Sequence, residues 1–171
     1  MPELILPTVR LHARFLECRD EWGPGPQEDG FGVGEDCDLI SSQGFAAWVD
    51  HRTRLAHLAG TPCPEQPHGS SRWIVEDGDV LGGIVLRHHF DDDLGQIGYG
   101  IRPSARRRGL ATWALGEMLA EARGALSVDR VLAVCLAHNV ASARTLERCG
   151  GVLEGVRDTE RGPVNRYWMT V

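Results

Sequence analysis

The chain contains no lysine, and all 18 of its basic residues are arginine. That absence removes Schiff-base formation, a lysine general base and the lysine of a phosphate-binding P-loop together. Long apolar runs are missing as well. None approaches the roughly 20 residues that a membrane-crossing helix needs, and the start Met1-Pro2-Glu3 lacks the charged-then-apolar order of a secretory leader. A cytoplasmic protein without a membrane partner is expected. Cysteine is sparse and unpatterned: Cys18, Cys37, Cys63, Cys135 and Cys149 are odd in number and form no Cys-x-x-Cys pair. Neither a disulfide framework nor a zinc knuckle is suggested, and no metal site is expected. Positive charge is also short, since the net charge of −6 disfavours a general nucleic-acid surface.

What is present is the composition of an ordinary globular domain, 171 residues with 42% hydrophobic and 25% charged side chains, enough for one core. A single domain over residues 1–171 is expected. After a short apolar start at Leu4 to Leu6, Thr8 can cap a helix whose apolar face is Leu11, Phe15, Cys18 and Trp22. Breakers from Gly23 to Gly34 read as a loop, Gly44 to Leu58 as a second helix, and Gly60 to Gly69 as a connector. Arg72 to Glu76 and Val80 to His89 form an antiparallel hairpin through Asp77-Gly78, whose readiness for positive φ suits a tight turn. Gln96 to Ile101 is a third strand, and its Gly98 and Gly100 mark a bulge or a close approach to the backbone. Ala111, Ala114, Leu115, Met118, Leu119 and Ala122 make one helical stripe. The apolar run Val131 to Leu136 fits a covered central strand. A shorter helix from Asn139 to Arg148 and two strands, Val152 to Val156 and Val164 to Val171, complete the pattern. The order is helices first, then β-β-β-α-β-α-β-β, which predicts a mixed sheet with helices on both faces.

The chemistry concentrates between Gly95 and Thr112. A strand is followed by a turn at Pro103, then Arg106-Arg107-Arg108, then the small-residue helix entry Gly109-Leu110-Ala111. A helix start offers unpaired N–H donors and partial positive charge, so phosphate oxygens can settle there, with the arginines adding charge. The plain alternative is a solvated basic helix start.

Here the sequence resembles the GNAT superfamily of acyl-CoA-dependent N-acyltransferases. Arg106-Arg107-Arg108-Gly109-Leu110-Ala111 matches its Gln/Arg-x-x-Gly-x-Gly/Ala signature, and Asn139-Val-Ala-Ser142, in a helix ending at Gly150, is similar to its second signature. The Leu-Arg-His-His run of the hairpin, Ile97-Gly-Tyr-Gly-Ile-Arg-Pro-Ser104 and Asn165-Arg-Tyr-Trp168 further resemble a bacterial subgroup whose acceptors are mostly unassigned. The resemblance implies an α/β fold with a mixed, largely antiparallel central sheet flanked by helices. It implies acetyl-CoA as cosubstrate and transfer to a primary amine of a small molecule or a peptide by direct attack. Its pantetheine arm would lie along Tyr99, Gly100 and Ile101, with the pyrophosphate on Arg106, Arg107, Arg108, Gly109, Leu110, Ala111 and Thr112. Asn139 and Ser142 would complete the cosubstrate site, and a main-chain N–H near Tyr99 to Ile101 would polarise the thioester carbonyl. A homodimer is admitted.

Two positions depart from that pattern. Gln96 stands where many members carry a glutamate base, and Leu146 where many carry a tyrosine acid. Gln96, Glu35 and His89 are the remaining candidates for catalysis, with His88 and Asp36 beside them. The plainer reading of His88 and His89 is a surface contact with Asp91-Asp92-Asp93, itself a solvated hairpin tip. The acids Glu28, Asp29, Glu35, Asp36 and Asp38 suggest a small cationic acceptor or merely a soluble loop. Two rival readings stand beside transfer: a CoA-sensing module with catalysis lost, and a nucleic-acid binder using Arg106 to Arg108.

Overall fold

The computed structural model describes residues 1–23, 30–34, 36–57, 69–89, 92–126 and 128–171. A seven-stranded sheet runs through them in the order β1-β2-β3-β4-β5-β7-β6, comprising β1 (Glu3–Ile5), β2 (Gly69–Glu76), β3 (Asp79–Arg87), β4 (Ile97–Ile101), β5 (Arg130–Leu136), β6 (Val152–Thr159) and β7 (Gly162–Thr170). Four helices flank it: α1 (His12–Asp20), α2 (Ser42–His57), α3 (Leu110–Ala125) and α4 (Val140–Arg148). All neighbouring strands are antiparallel except β4 and β5. The mixed, largely antiparallel sheet flanked by helices is as expected, and among the described residues no helix is long and apolar enough to cross a membrane.

Local chemistry accounts for most of the elements. Asp77 (φ 53°) and Gly78 (φ 84°) are both left-handed, the requirement of a two-residue turn between right-twisted strands. Thr8 accepts from the Arg10 N–H at 3.4 Å, so the first helix opens as a 3-10 turn over Val9–Leu11 before α1, which stops at Asp20 rather than reaching Trp22. Asp38 and Ser41 start α2 between them: Asp38 accepts from the main-chain N–H groups of Ile40 and Ser41, and Ser41 Oγ accepts from Gly44 at 3.0 Å. Strand β1 has no counterpart in the expected pattern. Its three residues are too few to show alternation, and pairing with Trp73 to Val75 makes it a strand. Strand β6 runs three residues past its expected end, to Thr159, because the β6–β7 turn lies at residues 160–161.

The two faces carry separate cores. On one, α3 and α4 cover Ile84, Leu86, Ile97, Ile101, Val131, Ala133, Tyr167 and Met169, with Leu115, Met118 and Leu146 coming from the helices. On the other, α1 and α2 enclose an aromatic cluster. The Phe15 ring lies 4.9 Å from Phe31, 5.1 Å from Trp73 and 5.2 Å from both Phe45 and Trp48. Among the described residues that cluster covers β2 and β3, with Ile5 of β1 at its margin. Beyond β4 the sheet is held differently: Arg166 pairs with Glu154 at 2.5 Å and with Asp92 at 3.0 Å, Arg157 also pairs with Asp92, and the Arg130 guanidinium lies 4.2 Å from the Trp168 ring. Asp92 ties to the β6–β7 hairpin, and His88 meets Ser70 Oγ at 3.1 Å; Asp91, the nearest acid of the expected His–Asp contact, lies outside the described residues.

Candidate active site

Strands β4 and β5 are parallel neighbours that touch at a single register pair, Ile97↔Ala133, and then separate. Gln96 builds the vertex of this fork. Its N–H donates to the Leu132 carbonyl at 2.7 Å, and its side-chain Oε1 accepts from the Leu132 N–H at 3.2 Å. The carboxamide is buried. Both main-chain groups of Leu132 are thereby satisfied where the ladder ends, which is the role the structure assigns to this side chain.

Past the vertex, β4 keeps its bonds to β3 on one edge only. Arg87 N–H donates to Gln96 O at 2.6 Å and Arg102 N–H to Leu81 O at 2.8 Å, so the even-numbered residues of this stretch face β3. Alternation turns the main-chain groups of Tyr99 and Ile101 into the fork. The Ile101 carbonyl is taken by Arg106 Nε at 2.9 Å. Among the described residues, Tyr99 N–H, Tyr99 C=O and Ile101 N–H are left as a short free strand edge. Side chains alternate in the other sense. Tyr99 packs toward α3 and α4, while Gly98 and Gly100, opposite Val85 and Gly83, fall on the α1/α2 face.

The turn after β4 leads this edge into the start of α3. Arg107 (φ 63°) and Gly109 (φ 79°) are both left-handed, and a Cβ on Gly109 would meet nothing within 4 Å. Glycine is therefore set by the backbone, not by space. The first helical bond is Trp113 N–H to Gly109 O, at 3.0 Å, so the N–H groups before it have no partner within the helix. The three arginines are not equivalent. Arg106 is engaged by Ile101 and Arg108 by Glu76, whereas Arg107 is exposed. The turn is also anchored from α1. Glu21 accepts from Arg102 Nε at 2.7 Å and from the Ser104 N–H at 3.1 Å, which lowers its carboxyl to about 2.

Across the fork, Asn139 caps α4 through a 3.1 Å bond from the Ser142 N–H. Ser142 Oγ lies 2.8 Å from the Tyr99 hydroxyl, so a side chain from β4 reaches the first turn of α4. Burial raises the Tyr99 pKa to about 12, and the Cys135 thiol beside Ser142 is also pushed up by burial. The structure thus brings Tyr99, Ser142, Asn139 and the Arg106 to Thr112 turn around one fork. The hydroxyl pair is what sequence reasoning missed, because 43 residues separate its members; an otherwise glycine-flanked tyrosine in a strand was the available signal. Leu146 is buried in the core. His89 lies beyond β3, with Nδ1 buried and unbonded. Glu35, Glu28 and Asp29 lie outside the described residues, and Asp38 is occupied by its cap.

Residues 40–152 match the family model described as an acetyltransferase (GNAT) domain. An uncharacterized N-acetyltransferase YnaD of Bacillus subtilis (strain 168) is 27% identical over 96 residues, 56% of this chain and 56% of that protein. The chain thus matches about half the length of that curated relative. Among solved structures, RimL, a ribosomal L7/L12 alpha-N-protein acetyltransferase in complex with coenzyme A, has a TM-score of 0.74 at 15% identity, covering 99% of this chain and 94% of that one. The microcin C7 self immunity acetyltransferase MccE, in complex with acetyl-CoA and AMP, has a TM-score of 0.73 at 14% identity, covering 99% and 92%. With the family model spanning well over half of the residues and the forked sheet present, this chain belongs to the GNAT family of acetyltransferases.

Proposed function

We propose that the chain transfers the acetyl group of acetyl-CoA to a primary amine, on a small molecule or a peptide, by direct attack with both substrates bound. The observation that carries this reading is the fork: a free edge of β4 that leads into a helix start whose first N–H groups have no partner within the helix. Its donors fit the cosubstrate. The Tyr99 and Ile101 main chain suits an amide-bearing arm laid as an extra strand, and the N–H groups from Arg107 to Thr112 suit a pyrophosphate, with Arg107 adding charge. Acetyl-CoA supplies the activated thioester. The Tyr99 N–H is placed to receive a carbonyl oxygen at the free edge, and the Tyr99–Ser142 hydroxyl pair, protonated at neutral pH, is placed to donate a hydrogen bond to a departing sulfur. No described carboxylate stands in the fork to act as base, and a proton leaving the amine passes to water or to a residue from another segment, Glu35 being the candidate outside the described residues. RimL and MccE differ in what their names say they act upon or bind, so both acceptor types remain within the proposal.

Saturating acetyl-CoA raises the melting temperature of the wild type, because a ligand specific to the folded state stabilises it by mass action. Gly109→Glu removes that shift by placing a carboxylate where the anion sits. A folded Gly109→Glu protein with the full shift refutes the phosphate assignment, and CoA binding without thiol release from any amine panel leaves the sensing module as the better reading.

A further inference from the structure

The α1/α2 face beside the fork holds a surplus of hydrogen-bond donors. Arg52, on α2, has Nε and Nη2 buried without a hydrogen-bond partner among the described residues. Its guanidinium lies against Gly32, where a Cβ would come within 2.6 Å of Nη2 and 2.9 Å of Cζ. One helical turn earlier, Trp48 Nε1 is likewise buried with no acceptor, as is Nε1 of Trp73, whose ring stacks on Trp48 at 6.3 Å. Arginine and tryptophan can only donate, and no described residue supplies these groups with an acceptor. Arg87, at the end of β3, lies near enough to repel Arg52, and burial together with this neighbour lowers the Arg52 pKa. A buried donor without an acceptor costs stability, and a bound ion or ligand is one of the few things that account for such a group in a folded protein.

The position relates this cluster to the fork. Val85 is opposite Gly98, and Arg87 follows on the same face about 7 Å along the strand, opposite Gln96 at the vertex. We propose that Arg52, with Arg87 beside it, binds an oxyanion, carboxylate or phosphate, carried by the amine acceptor. The inference rests on the acetyltransferase reading and gives it a substrate class: a short amine whose anionic group sits several ångströms from the nitrogen. It displaces the expectation of a purely cationic acceptor, one of whose supporting acids, Asp38, is engaged by Ser41.

Paired acceptors test it. Glycylglycine is compared with glycylglycine amide, and O-phosphoethanolamine with ethanolamine, by CoA release. Binding of N-acetylglycylglycine and of inorganic phosphate is read separately as melting shifts in saturating CoA, which keeps the pyrophosphate site filled. In the wild type, kcat/KM favours at least one acid over its neutral partner by about tenfold, the scale of one charged hydrogen bond. The favoured pair tells carboxylate from phosphate. Arg52→Gln brings that ratio close to one and removes the anion's melting shift. Arg52→Lys retains part of both. A normal CoA melting shift in Arg52→Gln shows that the variant is folded. Equal use of acid and neutral partners by the wild type, an equal loss for both in Arg52→Gln, or no transfer and no anion shift at all overturns the proposal. Failure of CoA to bind the wild type refutes the acetyltransferase reading instead, and an Arg52-dependent anion shift would survive it.

Discussion

The two halves of the sheet share an apolar core under α3 and α4 and differ on the opposite face. In the first half that face is sealed by Phe15, Phe31, Phe45, Trp48 and Trp73. In the second half, where Val131, Ala133, Tyr167 and Met169 pack under α3 and α4, arginine–carboxylate pairs join β6, β7 and Asp92, and β6 is an exposed edge with Val152, Leu153 and Val156 in solvent. Apolar packing scales with buried area and is indifferent to pH, whereas ion pairs depend on geometry and protonation. The site lies where the two regimes meet. A fork can stay open there because each half is held by its own contacts, with Gln96 and the Tyr99–Ser142 pair linking them.

The largest effect is expected in the aromatic half. Phe15→Ala removes the ring that touches four others and costs about 3–5 kcal/mol, read by chemical denaturation. A loss below 1 kcal/mol would mean that the cluster is not what holds this half. Next comes the vertex. Gln96→Ala leaves the Leu132 N–H without its acceptor and costs about 1–3 kcal/mol, with the KM for acetyl-CoA measured in parallel. Lost turnover at unchanged stability would instead make Gln96 a participant in the chemistry. Tyr99→Phe keeps the ring and deletes the link across the fork. It is expected to lower kcat about tenfold with little change in KM, since one hydrogen bond to a developing charge is lost.

The smallest effect is local and separates the halves by pH. Asp92 and Glu154 are held below their ordinary values of 3.8 and 4.5, by Arg157 and Arg166 respectively. Groups with depressed folded values contribute stability above the unfolded value and lose it as pH falls through the folded one. Glu21, lowered to about 2 chiefly by Arg102, keeps its ties to the β4–α3 turn until the pH nears that value. Amide exchange measured stepwise below pH 4.5 should therefore rise first in β6 and β7. Uniform exchange across the sheet would remove the distinction.

What the sequence revealed followed local chemistry. Asp77-Gly78 announces its turn, the Arg106 to Ala111 spacing announces a helix start, and Asn139 announces a cap, because each is decided within four residues. The rest depends on distant partners. Strand β1 exists only against Trp73 to Val75, the Gln96 carboxamide is explained by Leu132, Asp92 by Arg157 and Arg166, and Arg52 by the Gly32 turn. No spacing rule reaches across those intervals. The departures at Gln96 and Leu146 were visible as departures, but their meaning required seeing one as a main-chain clamp and the other as core.

Strand β7 lies between β5 and β6 although both precede it in the chain. Its neighbours therefore wait during synthesis. The β5 edge that will take up β7 is apolar and unpaired until residues 162–170 arrive, and β6 has no partner until the same moment. An open apolar strand edge is a template for aggregation, so the C-terminal half is the late and vulnerable step of folding, while β1 to β4 can close beforehand. The fork is then completed from the outside inward: one arm stands early, and the other is fixed when β7 slides into place.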